Sequence, residues 1–487
     1  MLPYIIRFLA FLTALSNFFG VNMKINLFAV PEQTVTGFGT SACWWAQMID
    51  EEAERQYLAK ELFSEEGLGL NIYRYNVGGG VNPGKNRIGE PSRRTESFLY
   101  YNEESGQFEY DFTRDANAQA MLFEALSYGC VDTVVLFANS PHYSMTVNGE
   151  TAGSQSGGVT NLDESRYQDF VDYFLTITEY FLSRGVPVKY ISPVNEPQWD
   201  WGGDWVGQEG CHYSAEQVVK LMELFAQGIA ERGLDVKLQT PESGQIGAND
   251  TPYVDALLEN KTVMAQVGSL AYHSYWTDTN AENKIDFGVR RCRTLGQYQV
   301  DMTEWCELPC KHDVADVEAA LIMARVIAND FNLARCNSWS SWVAVNIGGT
   351  DKEGRRLSDG LFYAVDNDYR EVKPTARFTA LAHFAKFVPV GSKSLTAVPN
   401  ITDIAEDGGG GRYYPFSLAA FRTPERKTVI VIVNEAEERL VTLPTLLAKG
   451  MAVYTTDKDR TLEKTFDGRY RHRITVPEKS ITTVVIG

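Results

Sequence analysis

Apolar residues recur in two alternating patterns between residue 24 and about residue 390. Short apolar runs that end in polar or aromatic side chains predict strands. Longer stretches with apolar residues at i, i+3 and i+4 lie between them and predict helices. The predicted strands are residues 34–38, 69–76, 133–139, 188–192, 236–240, 269–273, 299–303 and 336–340. The predicted helices are residues 51–66, 114–128, 163–184, 214–232, 253–260, 282–295, 316–335 and 375–387.

This alternation predicts an α/β fold, because strands joined by crossover helices form parallel sheets. Eight strand–helix pairs favour a (β/α)8 TIM barrel, and a doubly wound open sheet is the alternative. The start of the predicted helix 214–232 is marked by Ser214 and by Gln217 three residues later, which have the pattern of a capping box. In either fold, functional side chains collect at the carboxyl ends of the strands.

After residue 388 the pattern changes to short strands separated by charged turns. The predicted strands are residues 428–434, 440–443, 451–455, 472–476 and 481–486. We therefore expect an all-β sandwich side domain formed by residues 389–487. Residues 23–29 are expected to join it, because a lone strand ahead of the barrel needs a partner. The barrel is expected to span residues 30–388.

Residues 4–19 are apolar, with Arg7 near their start, and resemble the core of a signal peptide. The run is too short for a comfortable membrane span, and no small-residue cleavage site precedes Met23. Three interpretations of residues 1–22 are ranked: a mispredicted translation start is preferred, a weak secretion signal is second, and an anchor is third. Seven scattered cysteines suit a reducing compartment, so a cytoplasmic location is favoured and secretion is the alternative.

The net charge of −18 narrows the classes of partner. A surface this acidic disfavours nucleic acid, anionic membranes and acidic polysaccharides, and it favours neutral ligands. The six histidines are dispersed and form no H-E-x-x-H pattern, so no metal site is expected. The glycines at 78–80 are followed by no G-K-[ST] ending, so no cofactor is expected.

Two glutamates follow predicted strands that face each other across the barrel mouth. Glu196 follows the fourth strand and Glu304 ends the seventh. Two convergent carboxylates, one protonated and one ionised, are what glycoside hydrolysis requires. Tryptophans follow each glutamate closely, and their rings suit stacking on sugars. The pattern predicts Glu196 and Glu304 as a catalytic pair, with Glu242 after the fifth strand as the next candidate.

Other strand ends supply side chains that we expect to bind substrate. We expect Arg74 to hold a carboxylate in its ionised form and Tyr275 to donate a hydrogen bond to the nucleophile. Packing at the top of the barrel is the alternative role for each of these side chains. The full set taken from the strand ends is Arg74, Asn139, Asn195, His273, Tyr275, Trp339 and Trp342.

Five segments together resemble glycoside hydrolase family 30, and most closely its endo-β-1,6-galactanase branch. They are residues 37–45 with the double tryptophan Trp44-Trp45, residues 74–80, residues 139–146, residues 192–197 and residues 303–305. The resemblance implies a TIM barrel with a side β-sandwich built from both termini. It also implies a retaining mechanism with Glu196 as acid/base and Glu304 as nucleophile. Asn195 would bind the sugar 2-hydroxyl, and Trp45 is included among the expected substrate-binding residues.

The leading hypothesis is therefore a retaining hydrolase acting on a neutral β-galactan. Another retaining β-glycosidase, such as a β-1,6-glucanase, a xylanase or a fucosidase, is the alternative within the same class. A non-catalytic carbohydrate-binding protein on a barrel scaffold is the alternative from another class. The presence of both Glu196 and Glu304 argues against that last reading.

Overall fold

The computed structural model describes residues 23–247, 250–407, 410–444 and 448–487, and for residues 30–32 it describes the backbone alone. Its centre is a closed barrel of eight parallel strands, which confirms the barrel and excludes the open sheet. In chain order, the barrel strands are Gly37–Ser41, Ile72–Asn76, Thr133–Phe137, Val188–Ser192, Lys237–Ser243, Val267–His273, Gln299–Glu304 and Ser338–Ser341. The eighth strand closes the barrel on the first, with Ser338 opposite Gly37.

The first barrel strand begins later than the sequence pattern indicated. Thr34 ends a separate strand, Met23–Thr34, and the barrel strand begins only at Gly37. The apolar run at residues 34–38 therefore covers the junction of two strands that belong to different sheets. Gly37 and Gly39 have no room for a side chain, because an added Cβ would lie 1.9 Å from Asn71 Oδ1 and 2.7 Å from the Ile72 carbonyl oxygen respectively.

Helices surround the barrel at the eight predicted places, and one short helix, Lys261–Gln266, was not predicted. Their bounds are Glu52–Phe63, Ala116–Ser127, Tyr167–Ser183, Ala215–Arg232, Thr251–Glu259, Lys261–Gln266, Ala281–Arg290, Val317–Asn329 and Ala376–Ala385. The predicted capping box is confirmed, since the Ser214 hydroxyl accepts from the Gln217 amide and the Gln217 side chain accepts from the Ser214 amide. These contacts satisfy two backbone N–H groups that the first helical turn leaves unpaired.

A second, nine-stranded sheet lies beside the barrel. Its strands are Met23–Thr34, Lys393–Pro399, Phe416–Arg422, Thr428–Asn434, Arg439–Thr442, Gly450–Thr456, Glu463–Arg469, Arg473–Val476 and Ser480–Ile486. The expected pairing of the N-terminal strand is confirmed, because Met23–Thr34 runs antiparallel to Lys393–Pro399 and parallel to Arg439–Thr442. Segment 1–22, which carries the predicted signal or mispredicted start, lies outside the described residues.

The strand Thr428–Asn434 explains how the two parts are held together. Its alternate residues Val429, Val431 and Val433 pack into the same apolar core as the barrel helices, whereas Ile430 and Ile432 pack into the core of the nine-stranded sheet. A strand covered on both faces needs a continuous apolar run, which is what the sequence shows. The Arg325–Glu435 ion pair, 2.6 Å between Nη1 and Oε1, adds a polar link across the same interface.

Short β insertions follow the carboxyl ends of two barrel strands. A hairpin formed by Leu99–Asn102 and Gln107–Tyr110 follows the second barrel strand, and a small sheet of Val345–Asn346, Phe362–Val365 and Asp368–Pro374 follows the eighth. In the part of the chain that the structure describes, no helix has the length and apolarity needed to cross a bilayer.

Candidate active site

Glu196 and Glu304 meet at the mouth of the barrel. Glu304 is the last residue of the seventh strand, and Glu196 lies in the loop after the fourth. A carboxylate oxygen of one lies within 4.8 Å of a carboxylate oxygen of the other. Both carboxylates line a cavity of about 460 Å³. Its other lining residues are Trp44, Arg93, Trp199, Asp200, Trp201, Trp205, Gln208, Tyr275, Trp276, Cys306, Leu308, Trp342 and Asp359.

Four residues around this cavity have left-handed backbone conformations. Their φ angles are 71° at Trp44, 47° at Glu196, 57° at Glu242 and 55° at Trp276. A non-glycine residue in this region costs about 1–3 kcal/mol, and such residues cluster at functional sites. Each of the four lies at or just beyond the carboxyl end of a barrel strand, where the conformation turns the side chain out of the regular strand alternation.

Two side chains hold the Glu304 carboxylate from different sides. Arg74 Nη1 donates to Glu304 Oε2 at 3.2 Å, and the Tyr275 hydroxyl donates to Oε1 at 3.0 Å. Burial raises the pKa of Glu304 to about 6, while the charges of His273 and Arg74 act in the opposite direction. The carboxylate is therefore ionised at neutral pH and fixed in one orientation.

His273 connects Glu196 and Glu304 to a third carboxylate. Its Nδ1 lies 3.0 Å from Glu196 Oε1 and 3.6 Å from Glu304 Oε1, and its Nε2 lies 3.1 Å from Glu242 Oε2. Burial alone would lower the pKa of His273, but the charge of Glu304 and the hydrogen bonds to Glu196 and Glu242 raise it to about 10. The ring is thus an imidazolium that donates from both nitrogens.

Glu242 lies beneath the cavity rather than on its wall. Its side chain is fully buried, where it accepts from the Ser192 hydroxyl at 2.9 Å and from the Thr303 hydroxyl. Burial would raise the pKa of Glu242, but Arg74 and His273 outweigh it and lower the pKa. Because its side chain is fully buried and does not line the cavity, Glu242 supports the site from below and does not reach a molecule bound there.

Glu196, His273 and Glu304 place potential metal-ligand atoms within 4.8 Å of one another. Both ring nitrogens of His273 contact carboxylates, Glu196 at 3.0 Å and Glu242 at 3.1 Å. The arrangement suits a hydrogen-bonded charge network. In this network the positive charges of Arg74 and His273 face the negative charges of Glu242 and Glu304.

Tryptophan rings form the walls of the cavity in three pairs. The ring centroids are 4.9 Å apart in Trp44–Trp342, 5.0 Å in Trp199–Trp276 and 5.3 Å in Trp201–Trp205. The indole nitrogens of Trp44 and Trp199 are buried without a hydrogen-bond partner in the described chain. Apolar planes with unused donors at their edges suit sugars, which combine apolar ring faces with hydroxyl groups.

Two tryptophans predicted to bind substrate lie elsewhere. The Trp45 side chain is fully buried, and its indole donates to the Ser41 carbonyl at 2.9 Å. Trp339 is also fully buried and donates to Asp330 Oδ2 at 3.0 Å, between the barrel and its helices. Neither residue lines the cavity, and Trp44 and Trp342 do so instead.

The other predicted residues lie in or beneath the site. Tyr275 and Trp342 line the cavity, and Arg74 and His273 contact the carboxylates of Glu304 and Glu196 from below. Asn139 donates to Cys43 Sγ at 3.3 Å. Asn139 and Asn195 each keep a buried Oδ1 without a partner in the described chain, although neither lines the cavity.

Gly244 is a requirement that the sequence alone did not reveal. A Cβ at this position would lie 2.4 Å from both Glu196 Oε1 and Trp199 Nε1. Only a glycine leaves room for the Glu196 carboxylate beside the fifth strand. Trp199, Trp201 and Trp205 also line the cavity; the sequence indicated that tryptophans after Glu196 suit stacking on sugars, but these three were not named among the substrate-binding residues.

Comparisons with known proteins identify a family and agree with the fold. The model of the family described as O-Glycosyl hydrolase family 30 matches residues 20–353. An endo-beta-1,6-galactanase from Hypocrea rufa is 24% identical over 403 residues, which cover 77% of this chain and 76% of that protein. The structure of a conserved exported protein from Bacteroides fragilis superposes with a TM-score of 0.79 at 22% identity, covering 96% of this chain and all of that one. The catalytic domain of a family 30 xylanase C from Talaromyces cellulolyticus gives a TM-score of 0.69 at 16% identity, covering 96% and 99%.

Proposed function

The chain belongs to O-glycosyl hydrolase family 30, and from this premise we propose that it is a retaining endo-β-1,6-galactanase. In this proposal Glu304 is the nucleophile and Glu196 the acid/base of a double displacement. The family match and the hydrolase relatives already identify a glycoside hydrolase. The stereochemistry, the residue roles and the substrate are what the proposal adds.

The observation that carries the proposal is the approach of Glu196 and Glu304 to within 4.8 Å. Retaining enzymes place their two carboxyl groups about 5–5.5 Å apart, whereas inverting enzymes leave about 6.5–9.5 Å for a water molecule. An approach this close is shorter than the separation in inverting enzymes and suits direct attack by a carboxylate on the anomeric carbon.

The surroundings of each glutamate support its proposed role. Glu304 is ionised at neutral pH and is held by Arg74 and Tyr275, as a nucleophile must be. In the first step Glu304 forms an ester bond to the anomeric carbon while Glu196 transfers its proton to the departing glycosidic oxygen. In the second step Glu196 takes a proton from water, the water oxygen attacks the anomeric carbon, and the bond to Glu304 breaks.

The choice of a β-1,6-galactan rests on the galactanase relative, which matches about three quarters of both chains. The tryptophan walls suit the apolar faces of sugar rings. Family 30 structures that superpose on this chain include xylanases, so xylan is the first competing substrate. A carbohydrate-binding protein without turnover is the competing class.

The test is thin-layer chromatography of the products from β-1,6-galacto-oligosaccharides, with Glu196→Gln as the matched control. We expect short galacto-oligosaccharides from the wild-type protein and none at natural glycosidic bonds from the variant. Cleavage of xylan, β-1,6-glucan or an aryl fucoside in place of galactan would assign another β-glycosidase activity. Binding of the oligosaccharides without any cleavage would assign a binding protein.

A further inference from the structure

Asp330 is a fully buried carboxylate, between the barrel and its helices, that accepts hydrogen bonds from four side chains. Its Oδ1 accepts from Lys284 Nζ at 2.6 Å and from the Ser274 hydroxyl at 2.7 Å. The Tyr272 hydroxyl donates to the same oxygen at 3.4 Å, and the Trp339 indole donates to Oδ2 at 3.0 Å. These donors come from one helix, from the end of the sixth barrel strand and from the eighth strand. One side chain therefore joins three elements of the fold.

The Lys284–Asp330 ion pair is buried at a cost in solvation, because its side chains are 1% and 0% exposed. Apolar side chains of similar volume often stabilise a fold as well as such a pair does. The helix Ala281–Arg290 comes close enough to form it, since a Cβ at Gly288 would lie 1.9 Å from the Leu333 carbonyl oxygen. Lys284 Nζ also donates to Ser274 Oγ at 3.3 Å. The pair thus fixes both the position and the direction of one hydroxyl group.

Ser274 lies between two residues that contact the Glu304 carboxylate. His273 Nδ1 is 3.6 Å and the Tyr275 hydroxyl is 3.0 Å from the same oxygen, Glu304 Oε1. Side chains of an extended segment alternate in direction, so Ser274 points away from the cavity and reaches Asp330. The Ser274 backbone N–H also donates to the Glu304 carbonyl at 3.3 Å. The segment that orients the carboxylate is therefore anchored at its middle residue.

The pairing of the sixth and seventh strands is irregular at this point. Tyr272 lies opposite Met302, but His273 lies opposite Glu304, which leaves Thr303 as an extra residue in the seventh strand. An extra residue of this kind disrupts the ladder of backbone hydrogen bonds locally. Backbone pairing alone therefore constrains the end of the sixth strand weakly, and the contacts of the next side chain supply the missing constraint.

We propose that the Asp330–Lys284 ion pair positions the proposed nucleophile, Glu304, from outside the barrel. Through the Ser274 hydroxyl the pair holds residues 273–275 in place, so that an imidazolium and a phenol both stay on one carboxylate oxygen. This inference rests on the proposed function and extends its machinery to side chains in the helix layer. Displacing these contacts lowers the rate more than the affinity for substrate, because Glu304 bonds to the sugar only as the reaction proceeds.

The test removes one hydroxyl and leaves the ion pair intact. Kinetics of Ser274→Ala on β-1,6-galactotetraose are compared with those of the wild type. We expect kcat to fall about tenfold or more with KM nearly unchanged, because a small misplacement of a reacting group is costly. The acidic limb of the pH profile should move above the wild-type position near the Glu304 pKa of about 6. Looser contacts from His273 and Tyr275 favour the ionised carboxylate less.

Ser417→Ala is the matched control, because it removes another buried hydroxyl, one that donates to the Tyr414 carbonyl at 3.0 Å in the nine-stranded sheet. Its kcat and its pH profile should match those of the wild type. The double variant Lys284→Gln/Asp330→Asn removes both charges without leaving either one unpaired. It should lower kcat by at least as much as Ser274→Ala does.

A wild-type kcat together with an unmoved acidic limb in Ser274→Ala would overturn the inference and leave the galactanase proposal intact. If the wild type does not cleave galactotetraose, the galactanase proposal fails, and proton NMR of the His273 ring N–H groups decides the inference without turnover. Their signals, identified by their absence from His273→Gln, should be sharp in the wild type and in Ser417→Ala. In Ser274→Ala they should broaden through exchange with water, and unchanged signals there would overturn the inference.

Discussion

Glu196 and Glu304 come within 4.8 Å of each other at the barrel mouth, and the imidazolium of His273 lies between them, 3.0 Å from one and 3.6 Å from the other. In the proposed first step Glu304 loses its negative charge on forming the ester, while Glu196 gains one on releasing its proton. The net charge around His273 stays the same through both steps. A buried site avoids the cost of creating an unbalanced charge in this way.

Removing the proposed nucleophile should abolish hydrolysis. Glu304→Ala deletes the group that attacks the anomeric carbon, so we expect kcat to fall by several orders of magnitude, on the order of 10⁴ or more. Added azide should restore turnover of an activated aryl galactoside by entering the space that the carboxylate leaves. The product should be the α-galactosyl azide, identified by NMR, because azide attacks from the face of Glu304.

The matched variant Glu196→Ala separates the two roles. Here the nucleophile remains, so azide should react with the glycosyl ester and yield the β-galactosyl azide. Circular dichroism of both variants should match the wild-type spectrum. Activity near the wild-type level in Glu304→Ala, or azide products of exchanged configuration, would contradict the assignment.

The acidic side of the pH profile should report Glu304. Its pKa is raised to about 6, and only the ionised carboxylate attacks, so kcat/KM should fall tenfold per pH unit below about pH 6. In Arg74→Gln the loss of a neighbouring positive charge should raise this pKa and move the fall to higher pH. An acidic limb near the ordinary pKa of a glutamate, about 4.3, would contradict the account.

Glu242 should stabilise the fold in a pH-dependent way. Its folded-state pKa is lowered, so its contribution is present above the ordinary glutamate pKa and is lost as the pH falls through the folded value. Glu242→Gln removes a buried carboxylate that pairs with both Arg74 and His273, so their positive charges are no longer fully neutralised. We expect it to lower the free energy of unfolding by about 3–5 kcal/mol at pH 7, measured by urea denaturation.

The difference between Glu242→Gln and the wild type should narrow in acid, as the wild-type carboxylate takes up its proton. Glu104→Gln, at an exposed hairpin position, is the control and should change the free energy of unfolding by less than about 0.5 kcal/mol. A Glu242→Gln protein as stable as the wild type at pH 7 would show that the third carboxylate is dispensable.

Replacing Trp342 should affect activity, whereas replacing Trp339 should affect stability. Trp342 lines the cavity, so Trp342→Ala should lower kcat/KM by roughly tenfold or more through lost contact with the sugar ring. Trp339 is fully buried away from substrate, so Trp339→Ala should lower the free energy of unfolding by about 3–5 kcal/mol. Steady-state kinetics and urea denaturation of both variants distinguish the two. Equal losses of activity at unchanged stability would contradict the placement.

These two tryptophans also show what the sequence could not resolve. Strand alternation located the barrel and brought Glu196 and Glu304 together, because parallel strands place their carboxyl ends on one face. Strand alternation could not show that Trp44 lines the cavity and Trp45 does not. The left-handed φ of 71° at Trp44 breaks the regular alternation of side chains at that point. Trp339 lies inside the strand Ser338–Ser341 and Trp342 just beyond it, a difference of three residues that the pattern did not resolve.

The nine-stranded sheet was predicted only in part, for a related reason. Thr428–Asn434 was found because both its faces are covered and its sequence is continuously apolar. Glu463–Arg469 was missed because it is an edge strand of the sheet, largely exposed and without an apolar face. Edge strands are commonly charged, which removes the pattern that prediction uses.

The most direct test of the central claim is the configuration of the first product formed. Hydrolysis of a β-1,6-galacto-oligosaccharide would be followed by proton NMR from the earliest minutes, before the anomers interconvert. Double displacement through Glu304 and Glu196 predicts that the β-anomer of the released galactosyl unit appears first and the α-anomer later. Initial release of the α-anomer would show inversion and would contradict the two-glutamate mechanism proposed for this site.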